Sequence, residues 1–95
     1  MNDISELRKE IDALDIKLVE LFEARMGLSL NIAKYKKENN LQVLNQSRED
    51  EVINNCKKHL TYKELDTYLE SFMKSLMDIS KEYQKDFLSP KDNCR

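Results

Sequence analysis

Ninety-five residues with 16 Lys and Arg against 18 Asp and Glu carry a net charge of −2, and 40% of them are hydrophobic, which suits one small folded domain and not a disordered chain. A single Gly and a single Pro all but exclude a turn-rich all-β fold, a collagen-like repeat or a flexible linker, whereas 36% charged residues fit long helices with solvated faces. The near-balanced charge does not mark a nucleic-acid or membrane-surface binder, no apolar run approaches the ~18 residues of a membrane span, and Asn2, Asp3 and Ser5 do not make the basic and then apolar opening of a secretory signal.

The first predicted element is a long helix from about Asp3 to about Asn39. Ile4, Leu7, Ile11, Leu14, Leu18, Leu21, Arg25, Leu28, Ile32 and Tyr35 recur at alternating steps of three and four, which is a heptad seam. Asp3 with Glu6 reads as a capping-box start, and Asn39-Asn40 before Leu41 as the stop. Gly27 inside the helix costs ~1 kcal/mol relative to Ala without ending it. A second helix is expected to start between Asn45 and Ser47 and to run to about Lys58, with Arg48, Glu49, Val52 and Cys56 along one face. Thr61 and Glu64 read as a further capping box for a third helix, which ends at Leu88-Ser89-Pro90. That helix carries Leu65, Leu69, Phe72, Leu76, Ile79 and Tyr83 on one stripe, and Met73, Met77, Ser80 and Gln84 on a neighbouring one. The expected organisation is an all-α domain over residues 1–88 followed by a disordered tail, 89–95.

Length then bears on assembly. The first helix would be roughly 54 Å long, whereas a compact chain of 95 residues has a radius of gyration of only about 12 Å. Its seam therefore needs more cover than two shorter helices supply. A second copy running antiparallel is the economical solution, so an intertwined homodimer is expected.

Polar residues that interrupt the apolar faces carry the functional signal. Only four of the sixteen basic residues are arginines: Arg8, Arg25, Arg48 and Arg95. The planar guanidinium binds carboxylates bidentately and tolerates burial better than an ammonium, so arginines beside apolar seams suggest recognition of an anion. Arg25 occupies a heptad position where Leu or Ile would otherwise sit, and Lys36, eleven residues on, returns to within about 20° of the same face roughly 16 Å along the axis. Cys56 and Cys94 form no CxxC pair and have only His59 for company, which gives no support to a disulfide framework, a zinc site or a Cys–His nucleophile and places the chain in a reducing cytoplasm. Cys56 reads as a small buried apolar residue, His59 as a loop residue near a helix end, and Met73 and Met77 as core.

With these residues in view, the chain resembles the all-helical, intertwined-dimer class of chorismate mutases (type II) over nearly its whole length. The resemblance rests on Leu7-Arg8, on Ile11-Asp12-Ala13-Leu14-Asp15, on Arg25 followed by Ile32-Ala33-Lys34-Tyr35-Lys36, on Arg48-Glu49, and on Ser80 and Gln84 spaced i, i+4. It implies a concerted Claisen rearrangement of chorismate to prephenate, with no metal, nucleophile or redox cofactor, in phenylalanine and tyrosine biosynthesis. By similarity, Arg25, Arg48 and Arg8 clamp the substrate carboxylates with help from Ser80. Lys36 and Gln84 donate hydrogen bonds to the ether oxygen, and Glu49 holds the ring hydroxyl. Asn45 stands where the family often has Asp, an exchange that leaves a backbone contact intact, and the connection into the third helix is one residue shorter than in some relatives.

Taken singly, these residues have plainer readings. Arg25 would set coiled-coil register, Arg8 and Lys36 would make interhelical salt bridges, and Glu49 would be a first-turn acid that complements the helix dipole. Ser80 would be a tolerated small residue and Gln84 a surface one. Arg8 precedes Arg25 by seventeen residues, about 25 Å along the axis, so it can serve the same site only from a second subunit. Two alternatives stay open: an isochorismate-pyruvate lyase on the same scaffold, and a non-enzymatic helical module in which Arg25 pairs with an acidic residue of a neighbouring helix.

Overall fold

The computed structural model describes residues 3–42 and 45–88. In chain order it has helix α1 (Ile4–Glu38), helix α2 (Gln46–Lys58), a 3₁₀ turn (Lys63–Leu65) and helix α3 (Asp66–Leu88). The expected tail, with Cys94 and Arg95, lies outside the described residues.

The start of α1 is fixed by Asp3, whose carboxylate accepts from the Glu6 backbone N–H at 2.9 Å and satisfies one of the donors that a helix N-terminus leaves unpaired. Gly27 does not interrupt the helix. Its end is a Schellman-type stop. Asn40 takes the left-handed backbone conformation (φ 58°), and the Leu41 N–H reaches back to the Lys36 carbonyl at 2.7 Å. Asn tolerates that conformation where a β-branched residue would not. The same logic opens α2, where the Asn45 side chain accepts from the Arg48 backbone N–H at 3.1 Å. His59 caps the other end of α2 and is exposed.

The Thr61–Glu64 capping box is not what starts the third helix. The chain enters through the 3₁₀ turn, with the Leu65 N–H on the Tyr62 carbonyl at 3.1 Å, and Tyr62 makes no side-chain cap. Leu65 therefore belongs to the turn, and α3 begins one residue later. An ion cluster joins this corner to α2: Lys57 Nζ lies 3.0 Å from Asp66 and 2.7 Å from Glu70, which also holds Lys74.

α3 packs on both other helices. Its inward stripe is Met73, Met77, Ser80 and Gln84, all buried. Ile53 of α2, which the expected face of that helix leaves out, forms the core with Met73 and Met77, and Val52, Cys56, Leu69 and Leu76 pack around it. Cys56 is half-buried. The more apolar stripe of α3 looks outward, with Phe72, Ile79 and Tyr83 exposed, and the α1 seam is equally uncovered, from 43% exposure at Leu7 to 67% at Leu21. The chain is correspondingly elongated, measuring 56 × 35 × 16 Å with a radius of gyration of 17.2 Å. Among the described residues, no helix is long and apolar enough to cross a membrane.

Candidate functional site

Where the C-terminal half of α1 meets the start of α2 and the second half of α3, the helices leave a cleft of about 450 Å³. From α1 come Arg25, Ser29 and Lys36, with Leu28 and Ile32 forming an apolar wall. The first turn of α2 adds Asn45, Arg48 and Glu49, and α3 adds Met77, Ser80, Lys81 and Gln84. Seven of the eight residues singled out in the sequence thus line one cavity. The eighth, Arg8, sits exposed near the start of α1, seventeen residues and about 25 Å of helix away from Arg25.

Arg25 is half-buried and donates from Nη1 to Ser80 Oγ at 3.0 Å; the Ser80 hydroxyl in turn faces Met26 Sδ at 3.6 Å. No carboxylate among the described residues pairs with Arg25, so the register reading, which requires one, finds no partner among them. Ser80 orients the guanidinium without neutralising it. A cation held by a neutral hydroxyl at the mouth of a cleft keeps its charge for an anion.

Gln84 is buried, and its Nε2 donates to the Ser29 backbone carbonyl at 2.8 Å. Because a carbonyl accepts only, the NH₂ end of the amide faces it, which decides the amide orientation and leaves a second N–H on the same nitrogen. Lys36 is half-buried on the α1 side.

Arg48 is turned outward. Its Nη1 pairs with Glu51 Oε1 at 2.7 Å, both side chains being well exposed. Such an i, i+3 surface pair is worth little, so a dianion in the cleft can draw the guanidinium inward at small cost. Asn45 uses its side-chain oxygen to cap α2, as an Asp would.

Lys81 is the residue that the sequence reading leaves out. It lines the cleft, with Nζ 2.9 Å from Glu49 Oε2 across the α2–α3 interface and 3.4 Å from Asp78 on its own helix. The hydrogen bond with Glu49 is the main cause that holds its ammonium pKa above the ordinary value of 10.5, and partial desolvation opposes it. The available signal was position: Lys81 lies next to Ser80 and one helical turn before Gln84. With Arg25, Lys36 and Arg48 it makes four cationic side chains around one carboxylate, which is the electrostatics of a site for a small anion.

Arg25 also borders a second cleft of similar size, bounded by Leu18, Val19 and Phe22 of α1 and Phe72, Leu76 and Ile79 of α3. Its walls are almost wholly apolar.

Comparison with known proteins adds the chemistry. The family model described as chorismate mutase type II matches residues 7–85. A 4-amino-4-deoxychorismate mutase of Streptomyces venezuelae is 31% identical over 78 residues, covering 82% of this chain and 73% of that protein. No solved structure matches significantly.

Proposed function

The chain belongs to the chorismate mutase type II family, and from that premise we propose that its cleft rearranges chorismate to prephenate, a step toward phenylalanine and tyrosine. The observation that carries this reading is the convergence of Arg25, Lys36, Arg48, Glu49, Ser80 and Gln84 on one cavity.

In this rearrangement the ether C–O bond breaks as a C–C bond forms between the enolpyruvyl arm and the ring, and negative charge gathers on the ether oxygen. The protein supplies no bond of its own. Its work is to fold the arm over the ring and to stabilise that charge, and both effects come from the donors that line the cleft. Arg25, held by Ser80, takes one carboxylate, and Arg48 swings from Glu51 to take the other. Lys36 and the second N–H of Gln84 point their donors at the ether oxygen. Glu49 accepts from the ring hydroxyl. Leu28, Ile32 and Val52 form the apolar wall against which the ring packs.

A second copy completes the site. The uncovered α1 seam and the apolar cleft beside Arg25 are the kind of surface that association buries. Antiparallel pairing of the long helices carries the partner copy's first turns, with its arginine at position 8, toward the mouth of this cleft.

A second reading has a specific observation behind it, since the S. venezuelae relative is a 4-amino-4-deoxychorismate mutase. An isochorismate-pyruvate lyase would use a similar carboxylate clamp. The test is loss of substrate absorbance with product identification for chorismate, isochorismate and 4-amino-4-deoxychorismate side by side. Prephenate from chorismate as the fastest reaction supports the proposal; release of pyruvate from isochorismate, or preference for the amino substrate, replaces it.

A further inference from the structure

The name of the relative's substrate states what separates it from chorismate: at ring carbon 4 an amino group replaces the hydroxyl. An aliphatic amine is cationic at neutral pH, as lysine is, while the hydroxyl is neutral. The side chain that meets that ring substituent in the reading above is Glu49, so what surrounds Glu49 decides which of the two groups is welcome. A lone carboxylate would attract an ammonium more strongly than it would bind a hydroxyl.

Glu49 is not alone. Lys81 reaches across from α3 and holds its Oε2 at 2.9 Å, and the two side chains are only 24% and 19% exposed, so solvent screens the pair incompletely. Asp78, the other acid near Lys81, is farther, at 3.4 Å, and 74% exposed, which leaves Glu49 as the principal counter-charge. The pair is locally neutral. One carboxylate oxygen is engaged and the other can accept from a hydroxyl, but a substrate ammonium there would face the Lys81 ammonium within the same small cavity, which also holds Arg25, Lys36 and Arg48.

We propose that Lys81 is a specificity-determining residue: by pairing with Glu49 it makes the ring end of the cleft select a neutral 4-hydroxyl over a cationic 4-amine. The inference rests on the proposed mutase reading and goes beyond it by naming the group that chooses between the two substrates.

The experiment is kcat/KM for chorismate and for 4-amino-4-deoxychorismate in the wild type and four variants. The wild type favours chorismate. Lys81→Met strips the carboxylate of its partner and raises the amino-to-hydroxyl ratio at least about tenfold, since a substrate ammonium then meets an uncompensated carboxylate instead of a locally neutral pair. Lys81→Arg keeps the wild-type ratio. Glu49→Gln leaves the Lys81 cation uncompensated and lowers the ratio further, so the sign is tested even if Lys81→Met folds poorly. In the double variant Lys81→Met/Glu49→Gln the tenfold gain disappears, whereas a merely structural effect of losing Lys81 would persist. A ratio that Lys81→Met and Glu49→Gln leave unchanged, in a wild type that favours chorismate, overturns the proposal while the mutase reading stands; a wild type that prefers the amino substrate overturns the proposal together with chorismate as the substrate. A wild type that rearranges neither substrate overturns both.

Discussion

At the scale of single residues, the chain places a cation, Arg25, at a heptad position of the α1 seam, where among the described residues it donates to the Ser80 hydroxyl and no carboxylate pairs with it. A residue kept for the fold would have a carboxylate. Arg25→Ala is therefore expected to abolish most turnover while far-ultraviolet circular dichroism and oligomeric state stay as in the wild type; retained activity with lost folding would restore the register reading. Lys36→Ala and Gln84→Ala each remove a donor from the ether oxygen and should each lower kcat on the order of 10² to 10³-fold, by analogy with deleted oxyanion donors. The charged Lys36 should cost more. Gln84→Glu is the sharper experiment. The Ser29 carbonyl at 2.8 Å accepts only, so a carboxylate at position 84 would face a lone pair, and burial also disfavours its charge. Both effects raise the pKa of the introduced carboxyl, so activity should be present at acid pH, where the protonated acid can donate, and fall as pH rises through that pKa. A flat pH profile for this variant would remove residue 84 from the chemistry.

At the scale of helices, the parts legible in the sequence are those set by local physics. The heptad run, the Asp3 cap and the Asn39-Asn40 stop determine α1 almost to the residue, because each is decided by hydrogen bonds and backbone conformations within a few positions. The start of α3 was not legible, since Thr61 and Glu64 match a capping pattern while the chain turns instead through Lys63–Leu65, next to the Lys57–Asp66–Glu70 cluster that joins this corner to α2. Nor could periodicity tell which stripe of α3 faces inward. The more apolar stripe would be the natural choice, yet the half-polar one lies against α1 and α2, where Ser80 accepts from Arg25 and Gln84 donates to the Ser29 carbonyl. Lys81 escaped notice for the same reason: its partner Glu49 lies on another helix, a pairing that only the tertiary fold creates. Two outcomes test this level. A Cβ at Gly27 would meet nothing within 4 Å, so Gly27→Ala should stabilise the protein by roughly 0.5–1 kcal/mol in urea denaturation through helix propensity alone. Glu70 is held below its ordinary carboxylate pKa, first by the hydrogen bond from Lys57 and then by that from Lys74. A lowered folded pKa means stability that is present above the unfolded value and lost as pH falls through the folded one. Acid should thus loosen the α2–α3 corner, and Lys57→Met should flatten that part of the pH–stability curve.

The whole molecule is defined by a mismatch between its longest helix and its own core. α1 is 35 residues long, yet only Ser29 and Ala33 of it are buried, and its apolar seam is left open to solvent. Every residue that α1 gives the proposed site, except one, lies in its C-terminal half, which carries its buried Ser29 and Ala33. The exception, Arg8, lies on the overhanging half, too far from Arg25 for any small dicarboxylate to bridge within one chain. The central claim is therefore a rearrangement site shared between two copies, and mixing two inactive variants tests it most directly. Arg8→Ala and Arg25→Ala chains are unfolded together, refolded and assayed for conversion of chorismate to prephenate. With random pairing, half of the dimers are mixed, and in each of these one site carries both substitutions and the other neither, so activity should recover to about a quarter of wild type. Activity no higher than that of the separate variants, with subunit exchange demonstrated, would contradict the shared site and confine Arg8 to its own chain.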